Sequence, residues 1–207
     1  MALVKRKAIQ PAAAAQPEQE QSCMELAACL EDADPRTRRH AARDMLHCPH
    51  AAGALASRLR REPDTAVREV ILTTLVRLND PSAAGEMAEC LRSEDAALRN
   101  EVIEAIGLMP CDVSHVLRSL LADADPDLRM FAVNILDSRR QPDVESWLID
   151  VIEHDAHLNV CATAVDVLCQ AGSESSVEPL LRLKDRFRSD AFIQFAADRA
   201  LKRIRGV

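Results

Sequence analysis

The chain has 207 residues, a net charge of −7 and 48% hydrophobic residues, enough to bury a core as one large domain or two small ones. Aromatic residues make up only 2% and tyrosine is missing, which disfavours strands and suits helices, so an all-α protein is expected. No apolar run is long enough to cross a membrane, which excludes a helical membrane span.

Residues 1–21, rich in alanine, glutamine and proline, read as a disordered N-terminal tail, and residues 22–207 as the folded domain. Lys5, Arg6 and Lys7 open the chain, but AIQPAAAAQPEQEQ after them lacks the apolar stretch of a signal peptide. Cys23, Cys29, Cys48, Cys90, Cys111, Cys161 and Cys169 form an odd set without C-x-x-C, mostly inside apolar runs. They read as free thiols of a soluble cytoplasmic protein rather than a disulfide framework.

Beyond the tail, CMELAACLED has leucine, alanine and methionine at three- and four-residue intervals, the helical period. Asp34 and Pro35 then open a second helix, TRRHAARDML: the carboxylate caps free amides of the first turn, and proline costs little there. HCPH, residues 47–50, follows, with Pro49 ending that helix. It reads as a loop between helices; the competing metal reading needs about four converging ligands and no partner pair is near in sequence. The same alternation continues as AGALASRLRRE and VREVILTTL, AAGEMAECLRSE and LRNEVIEAI, VSHVLRSLLAD and LRMFAVNIL. VESWLIDVIEHD and LNVCATAVDVL, then VEPLLRLKDRF and FIQFAADRAL, complete it. The histidines of EHDAH, His154 and His157, fall at the turn of the fifth pair, and Asp155 between them reads as its cap.

The second helices align on Arg38, Arg68, Arg99, Arg129, Asn159 and Ile193, with steps of 30, 31, 30, 30 and 34. Asp34, Asp64, Asp95, Asp125 and Asp155 stand four residues before the first five anchors. Six helix pairs must stack, because one amphipathic pair cannot bury its own apolar face. These units, with aspartate and arginine spaced as in DPDLR, resemble the short HEAT-like repeats of phycobilin lyase subunits and deoxyhypusine hydroxylase over residues 23–207. The resemblance implies an α-solenoid, a curved superhelix whose second helices line the concave side. The aspartates and arginines would form a ladder along the stack. It also implies a test for di-iron chemistry: the family pattern R-H-E-A-A is met here only by His40, without its glutamate, so that activity and any cofactor are not expected. The sixth repeat, with Ile193 at the anchor, departs from the pattern as a polar, basic terminal cap would.

No phosphate loop, nucleophile elbow or dinucleotide fingerprint occurs, so no catalytic residue is assigned. Charge is uneven: −13 over residues 81–180 and +5 over 181–207. The acidic block repels a phosphate backbone, so nucleic acid is not an expected partner. One and five residues past each anchor should face outward: Arg39 and Arg43, Glu69 and Thr73, Asn100 and Glu104, Met130 and Asn134, Val160 and Ala164, Gln194 and Asp198. Met130, Phe131, Asn134, Val160 and Ala164 are then candidates for a binding strip, unless the helix phase is misassigned. The expected function is a non-enzymatic scaffold or adaptor that binds a protein with a basic or amphipathic segment. The alternative is an accessory lyase or maturation factor acting on a cofactor-bearing protein.

Overall fold

The computed structural model describes residues 17–139 and 143–206. Among them are twelve α-helices and no strand, arranged as six pairs. The pairs are α1 (Pro17–Cys29) with α2 (Pro35–Asp44), α3 (Ala51–Leu59) with α4 (Thr65–Leu78), and α5 (Pro81–Ala88) with α6 (Ala96–Leu108). The others are α7 (Ser114–Leu121) with α8 (Pro126–Ser138), α9 (Val144–His154) with α10 (Leu158–Ala171), and α11 (Val177–Arg186) with α12 (Ala191–Arg205). Each second helix packs on the next, from α2 through α4, α6, α8 and α10 to α12, so the protein is an all-α solenoid.

The expected caps form. Asp34, Asp64, Asp95 and Asp125 each accept a hydrogen bond from a first-turn amide, and Asp190 does the same for α12. Asp155 does not cap α10. That helix starts two residues later, with His157 at the capping position and no side-chain cap bond. Asp155 instead accepts from the His157 amide at 2.7 Å, as Asp32, Glu62 and Asp123 accept from the amide two residues ahead of each.

This shifts the register of the last two repeats. Four residues past each helix cap stand Arg38, Arg68, Arg99, Arg129, Cys161 and Gln194, with steps of 30, 31, 30, 32 and 33. Three further on, Ala41, Ile71, Val102, Ala132, Ala164 and Ala197 are all buried, which makes this position the floor of the stack. One before the anchor, Val67, Leu98, Leu128, Val160 and Ile193 are buried too. Small residues bring neighbouring second helices close. At Gly107 of α6 there is no room for a Cβ, because Ser138 at the end of α8 lies against it.

Two sequence expectations are corrected at the N-terminus. Residues 1–16 of the expected tail lie outside the described residues, but Pro17–Gln21 form the start of α1. Cys23 and Cys48 are not free thiols: a disulfide joins α1 to the turn after α2, with Cα atoms 5.6 Å apart. The other five cysteines are free. HCPH is thus a turn whose cysteine is bonded and whose His50 adopts a left-handed conformation, φ 61°. Among the described residues no group of three or more His, Cys, Asp or Glu side chains is gathered as a metal centre, and no helix is long and apolar enough to cross a membrane.

Candidate partner-binding grooves

The anchor side chains stitch each repeat to its neighbour. Arg38 donates to both carboxylate oxygens of Glu62, at 2.8 and 2.7 Å, and to the carbonyl of Asp32. Burial pushes the Glu62 carboxyl up, but Arg38, Arg58 and the Asp64 amide outweigh it and hold it at about 2. Arg68 reaches Asp95 at 2.6 Å, and Arg129 grips Asp155 with Nε and Nη2 while donating to the carbonyl of Asp123. Arg99 bonds the carbonyl of Ser93 and lies over the Phe131 ring, 5.6 Å from its centroid. Aspartate and arginine of adjacent repeats pair at Arg68–Asp95 and Arg129–Asp155. At Arg38 the partner is Glu62 rather than Asp64, and Arg99 bonds the carbonyl of Ser93 rather than Asp125.

Cys161 takes the arginine's place in the fifth repeat. Its Sγ donates to the carbonyl six residues back, Asp155, at 3.2 Å, the same offset at which Arg38, Arg99 and Arg129 bond Asp32, Ser93 and Asp123. Arg186, from α11, supplies the missing guanidinium: it donates to the Cys161 sulfur and to the carbonyls of Ile152, Glu153 and Asp155. Burial pushes the Cys161 thiol up, with the charge of Arg186 acting the other way. Burial also raises the Cys90 and Cys111 thiols, so none of the three is an activated nucleophile at neutral pH.

With the register corrected, one and five residues past the anchor are Glu69 and Thr73, Asn100 and Glu104, Met130 and Asn134, Ala162 and Asp166, Phe195 and Arg199. Those of α8, α10 and α12 line a groove of about 530 Å³. Its apolar surface comes from Met130, Ala162, Val167 and Ala196 with Phe192 and Phe195, which are 62% and 67% exposed. Asp137 and the Asp166–Arg199 ion pair add its polar rim. Of the sequence candidates, Met130 and Asn134 reach this groove. Phe131 is half-buried under Arg99, and Val160 and Ala164 have no exposed surface. The last two are corrected from strip to core because α10 begins two residues later than its aspartate suggested. Ala162 and Asp166 were missed for the same reason, and Phe192 and Phe195 because the sixth repeat aligns on Gln194, one residue past Ile193. Measuring from Asp190, whose position before AFIQFAADRAL reads as a cap, places Phe195 and Arg199 outward.

A second groove, of about 590 Å³, lies between α4 and α6. Leu72, Val76, Ala105 and Leu108 form its apolar part, and Leu108 is 59% exposed. Glu69, Glu101 and Glu104 line it with Arg77. Glu101 lies 3.7 Å from Arg68; Glu69 and Glu104 have no ion-pair partner among the described residues.

Six stacked helix pairs with grooves along one face define an α-solenoid repeat protein. The HEAT-repeat profile matches residues 52–115 and 113–202, and the chain belongs to the HEAT-repeat family. Among solved structures it is similar to the archaeal HEAT-like repeats protein from Thermococcus onnurineus NA1, with 18% identity, 91% of this chain and 89% of that one covered, and a TM-score of 0.47. An engineered protein matches at 18% identity over 89% of this chain and 99% of its own, with a TM-score of 0.43. The complex of CpcE and CpcF of phycocyanin lyase from Nostoc sp. PCC7120 matches at 14% identity over 98% and 100%, with a TM-score of 0.36. No curated protein matches the chain. Likenesses this distant carry no activity across.

Proposed function

We propose that this chain is a non-enzymatic scaffold or adaptor that binds another protein through the face of its second helices, the concave face of a HEAT superhelix. The groove of α8, α10 and α12 is the seat. One observation carries the reading: of only four phenylalanines in the chain, two stand mostly exposed beside each other on that groove. Covering each ring would contribute about 1.5–3 kcal/mol, the scale of an interface hot spot. An amphipathic helix suits the site, its apolar face against Phe192, Phe195 and Met130 and its basic side toward Asp137. The lyase alternative gains nothing from a neighbour at 14% identity. The Cys23–Cys48 bond is at odds with a reducing cytoplasm.

The test is affinity capture from native extract with the wild type and a Phe192→Ser, Phe195→Ser variant whose helicity is checked by circular dichroism. A captured protein is then titrated against both as purified components. Binding that weakens by about a hundredfold in the variant supports the groove, as loss of two hot-spot rings should. Equal affinity would sink the proposal.

A further inference from the structure

The groove between α4 and α6 is a separate surface. We propose that the segment Val4–Ile9 docks there. The groove presents an apolar strip, Leu72, Val76, Ala105 and exposed Leu108, beside the carboxylates of Glu69 and Glu104, which have no ion-pair partner among the described residues. Such a site selects a run of cations flanked by aliphatic side chains. Lys5, Arg6 and Lys7 are the only three consecutive basic residues in the sequence, and Val4 and Ile9 flank them.

Reach is consistent with this. Helices joined by a short turn run antiparallel, so α1 begins at the end of the stack where α2, α4 and α6 finish. That end of the groove holds Val76, Arg77 and Leu108. Packed helices lie about 8–10 Å apart, so the groove is roughly 25 Å from Pro17 by way of α2 and α4. The eight steps from Ile9 to Pro17 extend to about 26 Å, enough to seat the basic triplet beside Glu69 and Glu104. The more distant groove of α8, α10 and α12 stays open, so this docking and the proposed partner site stand or fall separately.

The experiment uses the full chain with the photo-cross-linking residue benzoylphenylalanine in place of Val4. Equal parts of ¹⁴N and ¹⁵N protein are mixed, irradiated and mapped by mass spectrometry. The expected product links position 4 to α4 or α6, Leu108 foremost, within single chains. Glu69→Lys with Glu104→Lys lowers its yield by about tenfold, because like charges then face each other. Adding Lys5→Glu, Arg6→Glu and Lys7→Glu to that variant restores it. Glu69 and Glu104 are exposed, and circular dichroism confirms the fold of each variant. Mixed-isotope links would assign the groove to a second copy and overturn the proposal. So would links elsewhere, no links, or a yield indifferent to the charge exchange.

Discussion

The Glu62 side chain has no exposed surface, yet it is ionised, because Arg38, Arg58 and the Asp64 amide all donate to it. Its value falls from an ordinary 4.5 to about 2 on folding. A carboxyl lowered in this way binds fewer protons folded than unfolded. The stability it contributes is complete above about pH 4.5 and drains away as pH falls toward 2. The difference corresponds to about 3 kcal/mol. Glu62→Gln should therefore unfold about 3 kcal/mol more easily than the wild type in urea at pH 7, with the gap closing as the titration moves below pH 4.5. A gap independent of pH would show that packing, not charge, is what Glu62 supplies. Sequence showed Arg38 as a recurrent anchor but not its partner. Glu62 belongs to the next repeat's turn, and only the stacking brings it within reach.

At the scale of the element, each of the first five turns between paired helices carries polar side chains at two places, and in the first four both accept backbone amides. The first is Asp32, Glu62, Ser93, Asp123 or Asp155; the second, two residues on, is the helix cap Asp34, Asp64, Asp95, Asp125 or His157. In the fifth repeat only the first is acidic, so a single aspartate was read as the cap. The slip moved every outward position on α10 by two residues. The helix pairs and four of the caps were legible because apolar period and capping are local. The groove was not, because a small phase error turns a helix face from solvent to core. The corrected phase has a direct check. Val160→Asp buries an unpaired charge and should cost about 4 kcal/mol or more, whereas Ala162→Asp, at the groove, should cost under about 1 kcal/mol. Thermal or urea unfolding of the two variants measures it, and equal losses would restore the earlier register.

Across the whole molecule, stability is a sum of repeats and the contacts between neighbours, so the ends are the weak points. The first helix offers the core only partly buried Cys23, Leu26, Ala27 and Cys29, with Leu30 beyond its end, and Met24 is 75% exposed. Its disulfide closes a sequence separation of 25, a loop whose closure is worth roughly 3 kcal/mol. Cys23→Ser, or reduction of the wild type, should speed amide hydrogen exchange in α1 and α2 and leave α8 to α12 unchanged. Uniform acceleration along the chain would mean that the array unfolds as one unit. The opposite end is held without covalent help. Arg182 bonds Glu153, Arg199 bonds Asp166, and Arg203 donates to the carbonyls of Gly172 and Gln170, so the basic last repeat is drawn onto the acidic fifth.

Arg186 limits how this array can be cut or lengthened. A solenoid of self-sufficient units can lose its last pair and keep the rest, but here the fifth pair has a cysteine where an arginine should stand. The sixth pair lends it the guanidinium, bonded to three carbonyls and the sulfur. Removing α11 and α12 would strip the fifth pair of its brace, and inserting a copied repeat between them would separate lender from borrower. Counted by helices the array has six units; counted by what can be detached or duplicated, the last two are one.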